Sequence, residues 1–302
     1  MWCKGRNIFQ NTEGLRVLDF RNFVENFVEM LYFMKLLRYV FTLIGCFIFA
    51  SCDMMDYHPY DTRFEGKRNI NATNIKRIKQ LTEGRKDICF AVISDTQRWY
   101  DETHRIVNHI NDIDSVDFAI HCGDLTDFSL TDEFIWMRDE LEEFRIPYVV
   151  AIGNHDCLGT GKSMFRDLYG QLEYSFTAGN THFVVINTNG LEFSDDDEFF
   201  GVRFMHRDLG QLSPKVERTV VVMHAPIGSD QFPKDESEDY HMMVEQYPNL
   251  QFGLCGHIHS MAIHHPFENH VPYYQVACAE KLSYLLFHLK ADGTYTYEEI
   301  FV

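Results

Sequence analysis

Asp87-Ile88-Cys89-Phe90-Ala91-Val92-Ile93-Ser94-Asp95-Thr96-Gln97 is the stretch on which the chain turns. Ile88 to Ile93 is short, continuous, apolar and rich in β-branched and aromatic residues, the pattern of a strand buried on both faces. It stops on a carboxylate. In open α/β sheets, chemistry collects just beyond the carboxyl ends of the strands, which is where Asp95 stands. The same grammar recurs downstream, each apolar run ending on Asp, Asn or His.

Length and charge bound the reading. A chain of 302 residues can bury a substantial core in one large domain. Its 27 basic and 45 acidic residues leave a net charge of −18. That argues against nucleic acid as a partner, which needs a positive face. An anionic small substrate stays open, because bound divalent cations invert the local field. Eight cysteines lack CxxC spacing. Cys89, Cys122 and Cys255 sit in or beside apolar runs and read as small core residues.

The amino-terminal part falls into three segments. Residues 1–33 carry mixed charge and a helical apolar stripe through Phe20, Phe23, Val24, Phe27, Val28, Leu31 and Tyr32, with Met34 a more natural start. Residues 34–52 read as an export signal. Lys35 and Arg38 precede an apolar run from Tyr39 to Ala50, too short and interrupted to span a bilayer. Phe49-Ala50-Ser51-Cys52 resembles the lipobox of bacterial lipoproteins, departing from it at Phe49, where leucine is usual. That resemblance implies cleavage before Cys52, a lipid anchor on its thiol, and residence in the bacterial cell envelope. Residues 53–86 form a tether and a helix over Ile75 to Leu81, capped by Asn71 or Thr73 and stopped by Gly84.

Residues 87–302 carry the domain. A helix over Asp101 to Asp112, a strand from Val116 to Cys122, a helix from Thr131 to Phe144 and a strand from Pro147 to Ile152 follow the opening strand. This alternation is the signature of parallel βαβ units. Tyr174 to Ala178 and Thr181 to Asn187 read as a hairpin about Gly179-Asn180. Further buried strands run from Arg218 to His224 and through the stretch Leu250 to His259. The alternating tail, Tyr273 onward, predicts antiparallel strands completing a second sheet. Asp195 to Glu198 reads as a solvated loop. No internal repeat or linker interrupts the domain.

The strand ends hold Asp95, Gln97, Asp124, Asn154, His155, His224, His257 and His259. One histidine at a strand end is usually a satisfied structural residue. Carboxylate, amide and imidazole donors converging from five ends make a site for two first-row divalent ions such as Mn²⁺, Fe²⁺ or Zn²⁺. Gly123, Gly153 and Gly256 precede the ligands and let the backbone turn sharply into the cleft. Asp156 reads as structural, a helix cap.

Asp95-x-Gln97, Gly123-Asp124-x-x-Asp127, Gly153-Asn154-His155-Asp156, His224 and Gly256-His257-x-His259 together resemble the ordered blocks of the calcineurin-like metallophosphoesterase superfamily. The resemblance implies an α/β four-layer sandwich, two mixed β-sheets face to face flanked by helices. It implies one metal on Asp95, Gln97, Asp124 and His259, and a second on Asp124, Asn154, His224 and His257. His155 becomes the catalytic histidine, oriented by Asp127. The reaction it implies is hydrolysis of a small phosphomonoester or phosphodiester by a metal-bridging hydroxide. Family members usually read Asp-x-His in the first block. Gln97 offers a neutral amide oxygen there, which shifts that position toward Mn²⁺ or Mg²⁺. The alternative is a degenerate, metal-containing binding protein for a phosphorylated ligand, against which the retained His155 and Asp127 stand. Substrate selection falls to the loops 158–172, 191–211 and 227–247.

Overall fold

The computed structural model describes residues 13–50, 58, 61–190, 201–232 and 237–302. Cys52 and the acidic stretch 195–198 lie outside the described residues. The chain divides into two compact units, Met1–His58 and Pro59–Val302. In the first, one helix, α1 (Glu13–Ala50), runs through both the 1–33 and the 34–52 segments. Among the described residues no helix is long and apolar enough to cross a membrane.

The second unit contains α2 (Ile70–Leu81), β1 (Ile88–Ile93), α3 (Tyr100–Asn111), β2 (Phe118–His121), α4 (Thr131–Glu142), β3 (Tyr148–Val150), α5 (Gly161–Leu168), β4 (Tyr174–Ala178), β5 (Thr181–Val185), α6 (Val202–Gly210), β6 (Arg218–Val222), α7 (Ser237–Val244), β7 (Leu250–Cys255), β8 (Ala262–His264), β9 (Tyr273–Gln275), β10 (Ser283–Leu289) and β11 (Tyr295–Phe301). They form two sheets, ordered β11-β10-β1-β2-β3 and β4-β5-β6-β7-β9-β8. β1, β2 and β3 are parallel neighbours, as the βαβ spacing predicts. β4 and β5 pair as the expected hairpin.

The tail departs from the sequence reading. β10 pairs antiparallel with β1, and β11 with β10, so both complete the first sheet. β9 joins the second sheet as expected, antiparallel to β8 but parallel to β7. The reason lies in β1, buried along its whole length, whose second edge needs a partner as apolar as β2. β10 supplies it in register, with Phe287 opposite Phe90.

Period-two alternation then assigns the layers. Phe90 and Val92 join Phe118, Phe287, Phe183, Val220 and Phe252 in a cluster shared by the two sheets. The rings of Phe118, Phe90 and Phe287 stack along the first sheet at 5.3 Å spacing, and Phe183 meets Phe90 edge-on from the second. Cys89, Ala91 and Ile93 face outward onto α3, α4 and α5 through Ile106, Met137 and Phe165. Val184 and Val221 carry Met205 of α6 and Tyr240 and Val244 of α7. The result is helices, sheet, sheet, helices. Cys89, Cys122, Cys157, Cys255 and Cys278 are buried.

α2 is longer than its apolar stripe predicts, and its N-cap is Asn69. Asn71 lies inside the helix, buried, and caps nothing. Its amide donates to the Val150 carbonyl at 3.0 Å and its oxygen accepts the Val150 N–H at 2.9 Å. Asn74 donates to the Tyr148 carbonyl at 2.9 Å. The two side chains satisfy the free edge of β3 as another strand would. Helices α5, α6 and α7 occupy the stretches read from sequence as selectivity loops.

Candidate metal centre

The five predicted strand ends meet at one edge of the two sheets. Backbone hydrogen bonds lock the turns together: Asp95 N–H to the Gly123 carbonyl at 3.0 Å, Gln97 N–H to the Asp124 carbonyl at 3.2 Å, and Gly256 N–H to the His224 carbonyl at 2.9 Å. Asp95, Asp124 and His224 are fully buried. Asp95, Gln97, Asp124, His257 and His259 all have positive φ, in the region non-glycine residues avoid. Such strain persists only where the surroundings over-determine it, and here it collects on one constellation.

Two groups of donor atoms lie within 4.8 Å of one another, Asp124–His224–His257 and Asp95–Asp124–His259, and Asp124 belongs to both. Ring hydrogens can be placed from their partners. The His224 Nδ1–H donates to the Cys122 carbonyl at 2.9 Å, leaving Nε2 as a lone pair. That nitrogen faces Asn154 Oδ1 at 3.0 Å and Asp124 Oδ2 at 3.3 Å. His257 Nδ1 faces the same Asn154 oxygen at 3.0 Å. Acceptors aimed at acceptors need a positive charge among them, so this donor set fits a divalent cation. Protons can stand in for it. Burial opposes a charged His224, but Asp124 and Asp95 outweigh it and hold the imidazole up at about 9. Burial likewise raises the Asp124 carboxyl, and His224 and His155 outweigh it to hold it below its usual range.

The remaining predicted residues fall around this core. Gln97 is buried, with its amide 3.4 Å from Asp124 Oδ2. His259 Nε2 lies 3.4 Å from Asp95 Oδ1, with Trp99 edge-on to its ring. His155 donates its backbone N–H to Asp124 Oδ1 at 2.9 Å. Its Nδ1 meets the backbone carbonyl of Asp127 at 2.8 Å. The expected orientation by Asp127 therefore comes through its main chain. Its carboxylate is taken by Arg98, Nη2 to Oδ1 at 2.6 Å, which is why it does not reach the imidazole. The Asp127 turn is held by Glu133, whose side chain accepts the N–H groups of Phe128 and Leu130.

Two buried side chains tie the turns from beneath. Asp156 accepts the N–H groups of Leu125, Thr126 and Gly153 at 3.0 Å each and the Thr126 hydroxyl at 2.9 Å, clamping the second block to the third. Burial and Asp124 push its carboxyl up to about 7, against the pull of those donors. His121 accepts the Gly123 N–H on Nδ1 at 3.1 Å and meets Thr96 Oγ1 with Nε2 at 2.9 Å, bridging the first block to the second. Burial pushes it down to about 4, so it stays neutral. Sequence reasoning missed His121, though it stands in the same run as Gly123 and Asp124. It also missed the pairing of His257 with Asp230, whose sequence distance gives no signal.

Residues 89–261 match the family model described as calcineurin-like phosphoesterase. A probable cyclic nucleotide phosphodiesterase of Moraxella catarrhalis (strain BBH18) is 24% identical over 177 residues, 51% of this chain. The match spans 62% of that relative, less than two thirds of its length. Among solved structures, purple acid phosphatase PPD1 from yellow lupin (Lupinus luteus) seeds superposes with a TM-score of 0.56 at 13% identity, covering 72% of this chain and 52% of that one. GAP50, the anchor in the inner membrane complex of Plasmodium, gives 0.52 at 12% identity, covering 72% and 85%. At these identities the structures speak for the fold alone. The family match covers more than half of the sequence, and the chain belongs to the calcineurin-like phosphoesterase family.

Proposed function

We propose that this chain hydrolyses small phosphomonoesters or phosphodiesters with the help of two divalent cations. The observation that carries this is Asp124, whose carboxylate belongs to both donor groups, as a bridging ligand must. Asp95, Gln97, Asp124 and His259 would hold one cation; Asp124, Asn154, His224 and His257 would hold the other. The mixed donors suit Mn²⁺, Fe²⁺ or Zn²⁺, and the oxygen-richer first set also suits Mg²⁺. When bound, such ions acidify water to a nucleophile at neutral pH and offset charge on phosphoryl oxygens.

The chain's own residues do the rest. With Nδ1–H tied to the Asp127 carbonyl, His155 leaves Nε2 for the substrate; as imidazolium it can give the Nε2 proton to the leaving oxygen and return to the neutral Nδ1–H tautomer. A carbonyl partner fixes this tautomer without adding negative charge beside an anionic substrate. The N–H of His155 on Asp124 Oδ1 couples the position of the proton donor to that of the shared ligand.

Turnover of aryl and bis-aryl phosphates with Mn²⁺ tests the reading. Cyclic nucleotides head the diester panel, given the name of the 24%-identical relative. His155→Ala is expected to lower kcat about 10²–10⁴-fold with metal uptake unchanged. Asp127→Asn, which keeps the backbone carbonyl, should stay within about tenfold of wild type. A metal-loaded chain inert across the panel would overturn the assignment.

We further propose, on the sequence of the amino-terminal segment alone, that the protein is exported to a bacterial envelope and acylated on Cys52. Lys35, Arg38 and the apolar run before Ala50-Ser51-Cys52 support it. Incorporation of labelled fatty acid that disappears in Cys52→Ala is the expected result.

A further inference from the structure

His257 has both ring nitrogens committed. Nδ1 points at Asn154 Oδ1, among the donors, at 3.0 Å. Nε2 lies 2.8 Å from Asp230 Oδ1. An ionised carboxylate only accepts, so Nε2 carries the hydrogen and Nδ1 keeps its lone pair directed at the donor set. Asp230 lies on the turn that follows β6 and His224, so the loop of one ligand reaches across to the ring of another. Its side chain is 76% exposed. An ion pair so open to water contributes little to folding. What the contact does is choose the tautomer and fix the ring of one ligand.

We infer that Asp230 is a positioning residue that tunes the cation site containing His257, a reading that rests on the metal centre proposed above. The hydrogen bond stops the ring from turning its N–H toward the cation, and the carboxylate charge makes Nδ1 a stronger donor. Partners of this kind are worth about 10–100-fold in metal affinity. Because His257 belongs to the Asp124–His224–His257 group and not to the other, only one of the two sites should respond.

Calorimetric titration of the metal-free chain with Mn²⁺ separates the possibilities. Wild type is expected to take up two ions. Asp230→Ala should weaken one of them about 10–100-fold and leave the other in place. Asp230→Glu should recover much of the loss, and Asp230→Asn, which keeps an acceptor without the charge, should fall between. The thermal unfolding of metal-free Asp230→Ala should match wild type, since the residue is exposed. Two ions bound with wild-type affinity in Asp230→Ala would overturn the inference alone. A wild-type chain that takes up no Mn²⁺ would overturn the metal centre and the inference with it.

Discussion

Gly153 and Gly256 are held in place by what lies beside them. A Cβ on Gly153 would sit 2.1 Å from both N and Oδ1 of Asp124, and one on Gly256 would sit 2.0 Å from Ser94 Oγ and 2.5 Å from Asp95 Oδ2. Neither has positive φ; of the three block glycines only Gly123 does, at 103°. The sharp turn read from sequence therefore explains Gly123, while close approach to Asp124 and to Ser94 and Asp95 explains the other two. Gly256→Ala should displace Asp95, abolish metal uptake and cost about 1–3 kcal/mol in urea unfolding. Gly210→Ala, where the added methyl meets nothing within 4 Å, is the control and should leave metal uptake unchanged and stability equal or slightly higher. The sequence shows a glycine before Asp124, Asn154 and His257; it does not show which aspartate, dozens of residues away, forbids a methyl group there.

At the scale of elements, α2 matters more than its short apolar stripe suggests. Through Asn71 and Asn74 it closes the exposed edge of β3, the strand that leads to Asn154 and His155. Asn71→Ala leaves the Val150 N–H without its partner and removes one of the donors to its carbonyl. The expected loss is about 2–3 kcal/mol, read as a lower urea midpoint at unchanged slope. Strand positions and the parallel order of β1, β2 and β3 were legible in the sequence, because each is a continuous apolar run with a helix between. The sheet to which β10 and β11 belong was not legible. β10 would read the same in either sheet, and its place is settled by Phe287 stacking on Phe90 across a separation no local pattern encodes. The donor residues of the candidate centre stood at the ends of legible strands, which is why their convergence could be expected from the sequence. Asp230 and Asp156 act through partners that only folding brings near.

At the scale of the molecule, an acidic chain of net charge −18 keeps Asp95 and Asp124 away from water with no lysine or arginine against them among the described contacts. Without metal, a proton on His224 supplies the compensating charge. Its pKa is raised from 6.5 to about 9 on folding, so this contribution is fully present below about pH 6.5 and lost as pH rises through 9. It amounts to about 3 kcal/mol. The metal-free protein should therefore be more stable at pH 6 than at pH 9. Cation binding displaces that proton, so affinity rises over the same interval. The gap in thermal midpoint between metal-loaded and chelator-treated protein should widen from pH 6 to pH 9.

The distribution of the donors also sets when a cation can be captured. They come from the ends of β1, β2, β3, β6 and β7, two sheets and a span from Asp95 to His259. No neighbouring pair of turns makes a site, and the sheets must dock before His224 and His257 reach Asp124. A transition state for folding that has not completed this docking cannot grip the ion. Stabilisation absent from the transition state appears wholly in the unfolding rate. Stopped-flow refolding should run equally fast with and without Mn²⁺, while unfolding of the loaded protein slows in proportion to its gain in stability. In the cell, the lifetime of the folded chain would then follow the supply of metal, and the speed of its formation would not.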